Sequence, residues 1–153
     1  MEEKELKQEC LKLMETSEVA YLGTIDGDGF PQIRAMMNLR NKEQWPGLSG
    51  LFKHHKDDFL IYFTTCGSTA KVEQIRANPS VSVYYARPEQ FHGMMAAGKI
   101  EVVTDENLKK EIWQDGWEMY YPDKKYTLLR LLPDFAKGWY KEGPFEFKLH
   151  KAK

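Results

Sequence analysis

Val19 to Ile25 is rich in strand-forming residues, Phe30 to Leu39 alternates, and only Asp26-Gly27-Asp28-Gly29 separates them. Glycine reaches the positive φ that tight turns require, so this stretch predicts a β-hairpin. The Asp-x-Asp-Gly spacing is also that of the start of a calcium loop. Phe30 and Gln32 stand where further oxygen ligands would have to follow, which favours the turn. A hairpin this close to the N-terminus restricts the chain strongly, because adjacent strands with short connections pair antiparallel. Parallel pairing needs a crossover of a dozen or more residues, usually a helix, after each strand.

The rest of the chain repeats the pattern. Phe59 to Thr65, Ser80 to Ala86 and Met94 to Val103 read as strands. Phe135 to Tyr140 and Phe145 to His150 read as a terminal hairpin around Lys141-Glu142-Gly143-Pro144. Helices interrupt them. Leu6, Cys10, Leu13 and Met14 fall on one helical face near the start. Ser68 to Ala77 reads as a helix, with Ser68 or Thr69 as cap and Asn78-Pro79 as stop. Asp105 caps a third helix carrying Leu108 and Ile112, and Tyr126 to Leu132 reads as a short last helix before Pro133. Asn41 to Asp58 is a long connection and Arg87 to Gly93 a loop. The expectation is a single domain over residues 1–153, mainly β: an antiparallel β-barrel of six or seven strands with peripheral helices.

Composition narrows the function. The 22 Lys+Arg nearly balance the 23 Asp+Glu, without the basic excess of a nucleic-acid binder. No run approaches the roughly 18 apolar residues that cross a bilayer, and the charged stretch Met1 to Lys12 lacks the apolar core of a signal peptide. The two cysteines, Cys10 and Cys66, are far apart and have no metal-ligand spacing. They form no disulfide framework, which points to a reducing cytoplasm. Aromatic residues make up 13% of the chain, a supply that suits sheet cores, subunit interfaces or a pocket for a flat ligand.

One segment carries chemistry. Thr64-Thr65-Cys66-Gly67-Ser68-Thr69-Ala70-Lys71 lies where a strand ends and a helix begins. The first amides of a helix lack internal partners and carry partial positive charge, so hydroxyls and a lysine there can cradle a phosphate. The same residues also suit an ordinary helix cap with a solvated lysine. Arg34 lies in the apolar strand Gln32-Ile33-Arg34-Ala35-Met36 and needs a partner: a phosphate, or a carboxylate such as Asp57 or Asp58. The adjacent His54 and His55 read as a solvated loop.

In order and spacing these pieces resemble the pyridoxamine 5'-phosphate oxidase-like, FMN-binding split-barrel family, in its general-stress-protein-type branch. The resemblance rests on Tyr21-Leu22-Gly23-Thr24 with the Asp-Gly turn, Pro31 to Met36, Ile61 to Thr65, Ser68 to Val72, Ile75 with Asn78-Pro79, Gly98 to Asp105, and Trp113. It covers about residues 5 to 140. The resemblance implies that Arg34 and Lys71 bind the FMN phosphate with Ser68 and Thr69. Ala35, Met36 and Met37 would line the flavin, and Thr64 and Thr65 would contact the ribityl chain or ring edge. It implies a homodimer with the flavin site at the subunit interface, where Phe91 to Gly93 of a second copy, His92 among them, and Trp139 on the terminal hairpin come near the cofactor. The oxidases that name the family carry an arginine where this chain has Ala70, a lysine at Leu39 and a flavin-contacting glutamine at Gly93. The implied function is therefore a flavin-dependent oxidoreductase acting on an unidentified small molecule, with no catalytic residue assigned. A non-catalytic flavin carrier or sensor, and a haem-handling protein using His92, are the alternatives on the same barrel.

Overall fold

The computed structural model describes residues 1–149. Helix α1 (Glu3–Thr16) leads into strands β1 (Val19–Ile25) and β2 (Pro31–Met37). A long connection with a 3-10 turn at Pro46–Phe52 then reaches β3 (Ile61–Thr65) and helix α2 (Ala70–Ala77). Strands β4 (Ser80–Arg87) and β5 (His92–Val103) follow, then helix α3 (Glu106–Ile112). The chain closes with β6 (Thr127–Leu131), β7 (Phe135–Tyr140) and β8 (Gly143–Lys148).

Every strand pairing is antiparallel. The order is β2-β1-β4-β5-β6-β3, with β7 joined to β5 and β8 to β7. The twelve-residue β5 organises this sheet. Its first half pairs with β4 on one side and β7 on the other, and its last four residues pair with β6. The sheet thus curls around β5, and its two end strands, β2 and β3, come near one another without pairing. The result is a split antiparallel barrel with helices outside.

Two apolar clusters fill the fold. The first packs the inner faces of β1, β3, β4, β5 and β6 against Cys10, Leu13 and Met14 of α1. The second gathers Leu39, Leu48, Phe52, Tyr62, Trp117 and Tyr126 beneath the long connections. Strand β3 divides them: Ile61 and Phe63 face the first, Tyr62 the second. Buried on both sides, β3 reads as a continuous apolar run instead of alternating. Among the described residues no helix is long and apolar enough to cross a membrane.

Several expectations change. Tyr126 to Leu132 is not a helix; Thr127–Leu131 is β6, paired with both β3 and β5. Leu128 faces the second cluster, Leu129 and Leu131 the first, and Arg130 meets Glu101 at 2.7 Å on the outside. The strand expected from Phe59 starts at Ile61, because Phe59 is left-handed (φ 58°) and turns its ring inward onto Phe147. Strand β5 begins two residues earlier than expected, at His92. The last strand is Gly143–Lys148, and the end of the expected strand, His150, lies outside the described residues. Asp105 caps α3 as expected, accepting from the amides of Asn107 and Leu108.

Candidate functional site

The split between β2 and β3 sets the site. Arg34 projects from β2 on the inner side of the sheet, opposite Leu22 of β1. Its Nη1 donates to Thr24 Oγ1 at 2.7 Å and to the carbonyls of Gln32 and Leu22, and its Nη2 to Gln74 Oε1 at 3.4 Å. Gln74 lies on α2, one turn from Lys71. The Lys71 Nζ donates to Thr65 Oγ1 at 3.0 Å, at the end of β3. Three elements thus bring two cations to one place, held by neutral oxygens.

Neither cation has a carboxylate partner among the described residues. Asp58, one of the partners considered for Arg34, instead accepts from His55 and from the Leu60 amide. Burial lowers the pKa of both Arg34 and Lys71, and the neighbouring Arg34 charge lowers that of Lys71 further. Partial desolvation of two like charges with no anion between them is unfavourable unless an anion joins them.

Helix α2 starts at Ala70 with Thr69 in the cap position. Thr69 does not cap with its side chain, because its hydroxyl donates to the Cys66 carbonyl. Ser68 lies in the turn beside it and helps line a groove of about 570 Å³ with Cys66, Tyr120, Tyr121 and Tyr126. The expected pair Thr64 and Thr65 is split by the two-residue period of the strand. Thr65 is the lysine's partner, whereas Thr64 accepts a hydrogen bond from Tyr121 on the other side. Along β2, Ala35 is exposed, Met36 is buried in the first cluster and Met37 packs against the second.

His92 does not join this group. It is the inward residue at the start of β5, buried against Cys10, Tyr140 and Phe145. Within the single chain its ring lies inside the barrel. Burial also lowers its pKa. Its neighbour Gly93 lies on the outer face, where the Tyr84 hydroxyl occupies the space a β-carbon would need. Trp139 lies on that same outer face, opposite Gly93, and is 48% exposed, its indole donating to the Lys141 carbonyl.

Three residues of the site escaped the sequence reading: Thr24, Gln74 and Tyr121. Thr24 left a signal, as a hydroxyl on the inward face of β1 in line with Ala20 and Leu22. Gln74 left a weaker one, at i+3 from Lys71. Tyr121 comes from a long connection and left none.

A pyridoxamine 5'-phosphate oxidase profile matches residues 6–139, most of the chain. The chain belongs to the pyridoxamine 5'-phosphate oxidase family. The family match contains Arg34, Thr65 and Lys71 and ends at Trp139. Among solved structures, the chain is similar to a protein from Clostridium acetobutylicum related to general stress protein 26 of B. subtilis and described as of the pyridoxinephosphate oxidase family. The two are 29% identical over 97% of each chain, with a TM-score of 0.77. General Stress Protein 26 from Bacillus anthracis shares 20% identity over 94% of this chain and 98% of its own, with a TM-score of 0.68. A nimc/nima family protein from Clostridium acetobutylicum shares 15% over 94% and 92%, with a TM-score of 0.64. The last two carry the fold alone. No curated protein matches the chain.

Proposed function

We propose that this chain is an FMN-binding flavoprotein, an oxidoreductase acting on a small molecule, and that it works as a homodimer in the cytoplasm. The observation that carries the reading is the convergence of Arg34 and Lys71, two partly desolvated cations without a carboxylate, beside the first turn of α2. A phosphate fits that arrangement. Two charge-assisted donors meet its negative charge, and helix amides and the Thr65 hydroxyl add to them. In this reading Arg34 and Lys71 hold the phosphate of FMN, and Thr65 and Thr69 lie beside it. The exposed backbone around Ala35 runs along the flavin. Thr64 contributes through Tyr121, which fixes its hydroxyl. Bound flavin would supply hydride or electron transfer, and the protein would orient it and exclude water.

The dimer rests on the outer face of the sheet. Register places Ala35 opposite Tyr21, and Tyr21 opposite Tyr84. Ile33, Tyr21, Tyr84 and Trp139 are all exposed on that face, Ile33 by 73%. An apolar face of this extent suits a second copy related by two-fold symmetry, which would bring its Trp139 towards the flavin.

A haem-handling protein on the same barrel would show a single sharp Soret band on purification instead of the flavin pair of bands. A flavin carrier or sensor would use the same phosphate site. Equilibrium titration with FMN and with riboflavin tests the cofactor: the reading requires tighter binding of FMN. Reduction of the FMN complex by NADH or NADPH, followed by repeated turnover with an acceptor, then separates an oxidoreductase from a carrier.

A further inference from the structure

Arg34 uses only part of its hydrogen-bonding capacity within the chain. A guanidinium carries five N–H donors, one on Nε and two on each terminal nitrogen, and accepts nothing. Those on Nη1 are taken up by Thr24 Oγ1 at 2.7 Å and by the carbonyls of Gln32 at 3.0 Å and Leu22 at 3.2 Å. Nη2 has one partner, Gln74 Oε1 at 3.4 Å. Nε has none among the described residues and keeps accessible surface. The N–H bonds of Nε and Nη2 run side by side along one edge of the guanidinium, and such an edge meets two oxygens of a phosphate or carboxylate at once.

The opposite side is held by neutral oxygens in a fixed polarity. Because Arg34 only donates, Thr24 Oγ1 accepts from it, and the single hydroxyl hydrogen passes on to Gln74 Oε1 at 2.6 Å. That sets the Gln74 amide with its oxygen towards Arg34. Thr24 has no accessible surface and lies on the inner face of β1. Gln74 lies three residues after Lys71, on the same face of α2. One contact between β1 and α2 therefore fixes Arg34 relative to the helix that carries Lys71. A carboxylate in place of the Gln74 amide would also hold the guanidinium, but it would compete for the open edge and offset the charge.

Resting on the reading that Arg34 and Lys71 bind a phosphate, we propose that Thr24 and Gln74 are positioning residues of that site: they fasten one side of the Arg34 guanidinium with neutral acceptors and so leave its Nε/Nη2 edge, still charged, for bidentate contact with a phosphate group. The pair raises affinity for the phosphorylated form of a ligand and leaves affinity for the unphosphorylated form as it is.

Equilibrium titrations of the intact protein with FMN and with riboflavin, for the parent, Lys71→Ala, Gln74→Met, Gln74→Glu, Thr24→Val and Thr24→Ser, test this. Gln74→Met and Thr24→Val should each bind FMN about fivefold more weakly, the loss of one hydrogen bond. Gln74→Glu should bind it more weakly still, because its carboxylate pairs with Arg34. Riboflavin affinity should stay that of the parent throughout, and Thr24→Ser, which keeps the hydroxyl, should restore FMN binding. Gln74 is half-buried, so its variants decide the matter even where a change at the fully buried Thr24 unfolds the chain. If Lys71→Ala loses FMN affinity alone while both Gln74 variants bind FMN like the parent, the phosphate reading stands and the positioning role is overturned. Equal losses for FMN and riboflavin in the Gln74 variants mark a merely structural role and also overturn it. If the parent binds FMN no tighter than riboflavin, or Lys71→Ala loses nothing, the phosphate reading itself fails and the positioning role falls with it.

Discussion

At the scale of the residue, polar groups behave according to what surrounds them. Arg34 announced itself in the sequence, because a guanidinium in an apolar strand needs a partner. Which partner could not be read, since Thr24 and Gln74 reach it only through the pairing of β1 with β2 and the docking of α2. The inward placement of His92 was illegible for the same reason. One position along a strand decides between inside and outside, and the start of β5 was placed two residues too late. The cysteines differ in a way that can be measured. Burial, with Glu9 nearby, pushes the Cys10 thiol up to about 12, whereas Cys66 is exposed. At pH 8 the native protein should therefore react with a thiol reagent at Cys66 alone, and both cysteines should react in denaturant. The raised value also fixes a sign. The unfolded thiol ionises near 9 and the folded one does not, so from pH 9 upward the unfolded chain binds fewer protons and stability falls. Melting curves between pH 8 and 11 should show Tm falling, with a shallower slope in Cys10→Ala.

At the scale of the element, hairpins were the most legible feature, because turn residues mark them locally. The Asp26 turn formed as read: the Asp26 carboxylate accepts from the amides of Asp28 and Phe30 and from the Gln32 side chain, which lowers its pKa. Strand β6 was not legible. Thr127–Leu131 is buried on both faces between β3 and β5, and a short apolar run of this kind has no period to separate strand from helix. Only the tertiary pairing decides it. The antiparallel pairing of β7 with β5 is a second feature set by close approach. A β-carbon at Gly138 would lie 2.0 Å from the Gly93 carbonyl oxygen, a backbone atom that cannot swing away. Gly138→Ala should therefore destabilise the protein by about 1–3 kcal/mol, as overpacking of a tight contact does. Chemical denaturation would measure this, and an unchanged midpoint would show that β7 and β5 can separate freely.

At the scale of the whole molecule, the barrel is a device for leaving a gap. Its end strands β2 and β3 do not pair with each other, and Arg34 and Lys71 meet there because α2 follows β3 closely. The sequence showed the parts of this arrangement in order but not their convergence, which depends on how the sheet curls around β5. The outer face makes its own prediction. Tyr84 is 45% exposed at the centre of the apolar surface, so Tyr84→Glu should leave the fold intact and convert a dimer to single chains by light scattering. An unchanged mass would place the interface elsewhere. The central claim is that the cation pair holds the phosphate of FMN. A charge-assisted hydrogen bond is worth about 1.5–3 kcal/mol, and 1.4 kcal/mol is about tenfold in affinity. The direct measurement is a fluorescence titration of the parent and Lys71→Ala with FMN and with riboflavin, which lacks the phosphate. The account predicts that Lys71→Ala binds FMN about 10- to 100-fold more weakly while its riboflavin affinity stays that of the parent. Equal FMN affinity in the two proteins, or equal losses for FMN and riboflavin, would contradict it.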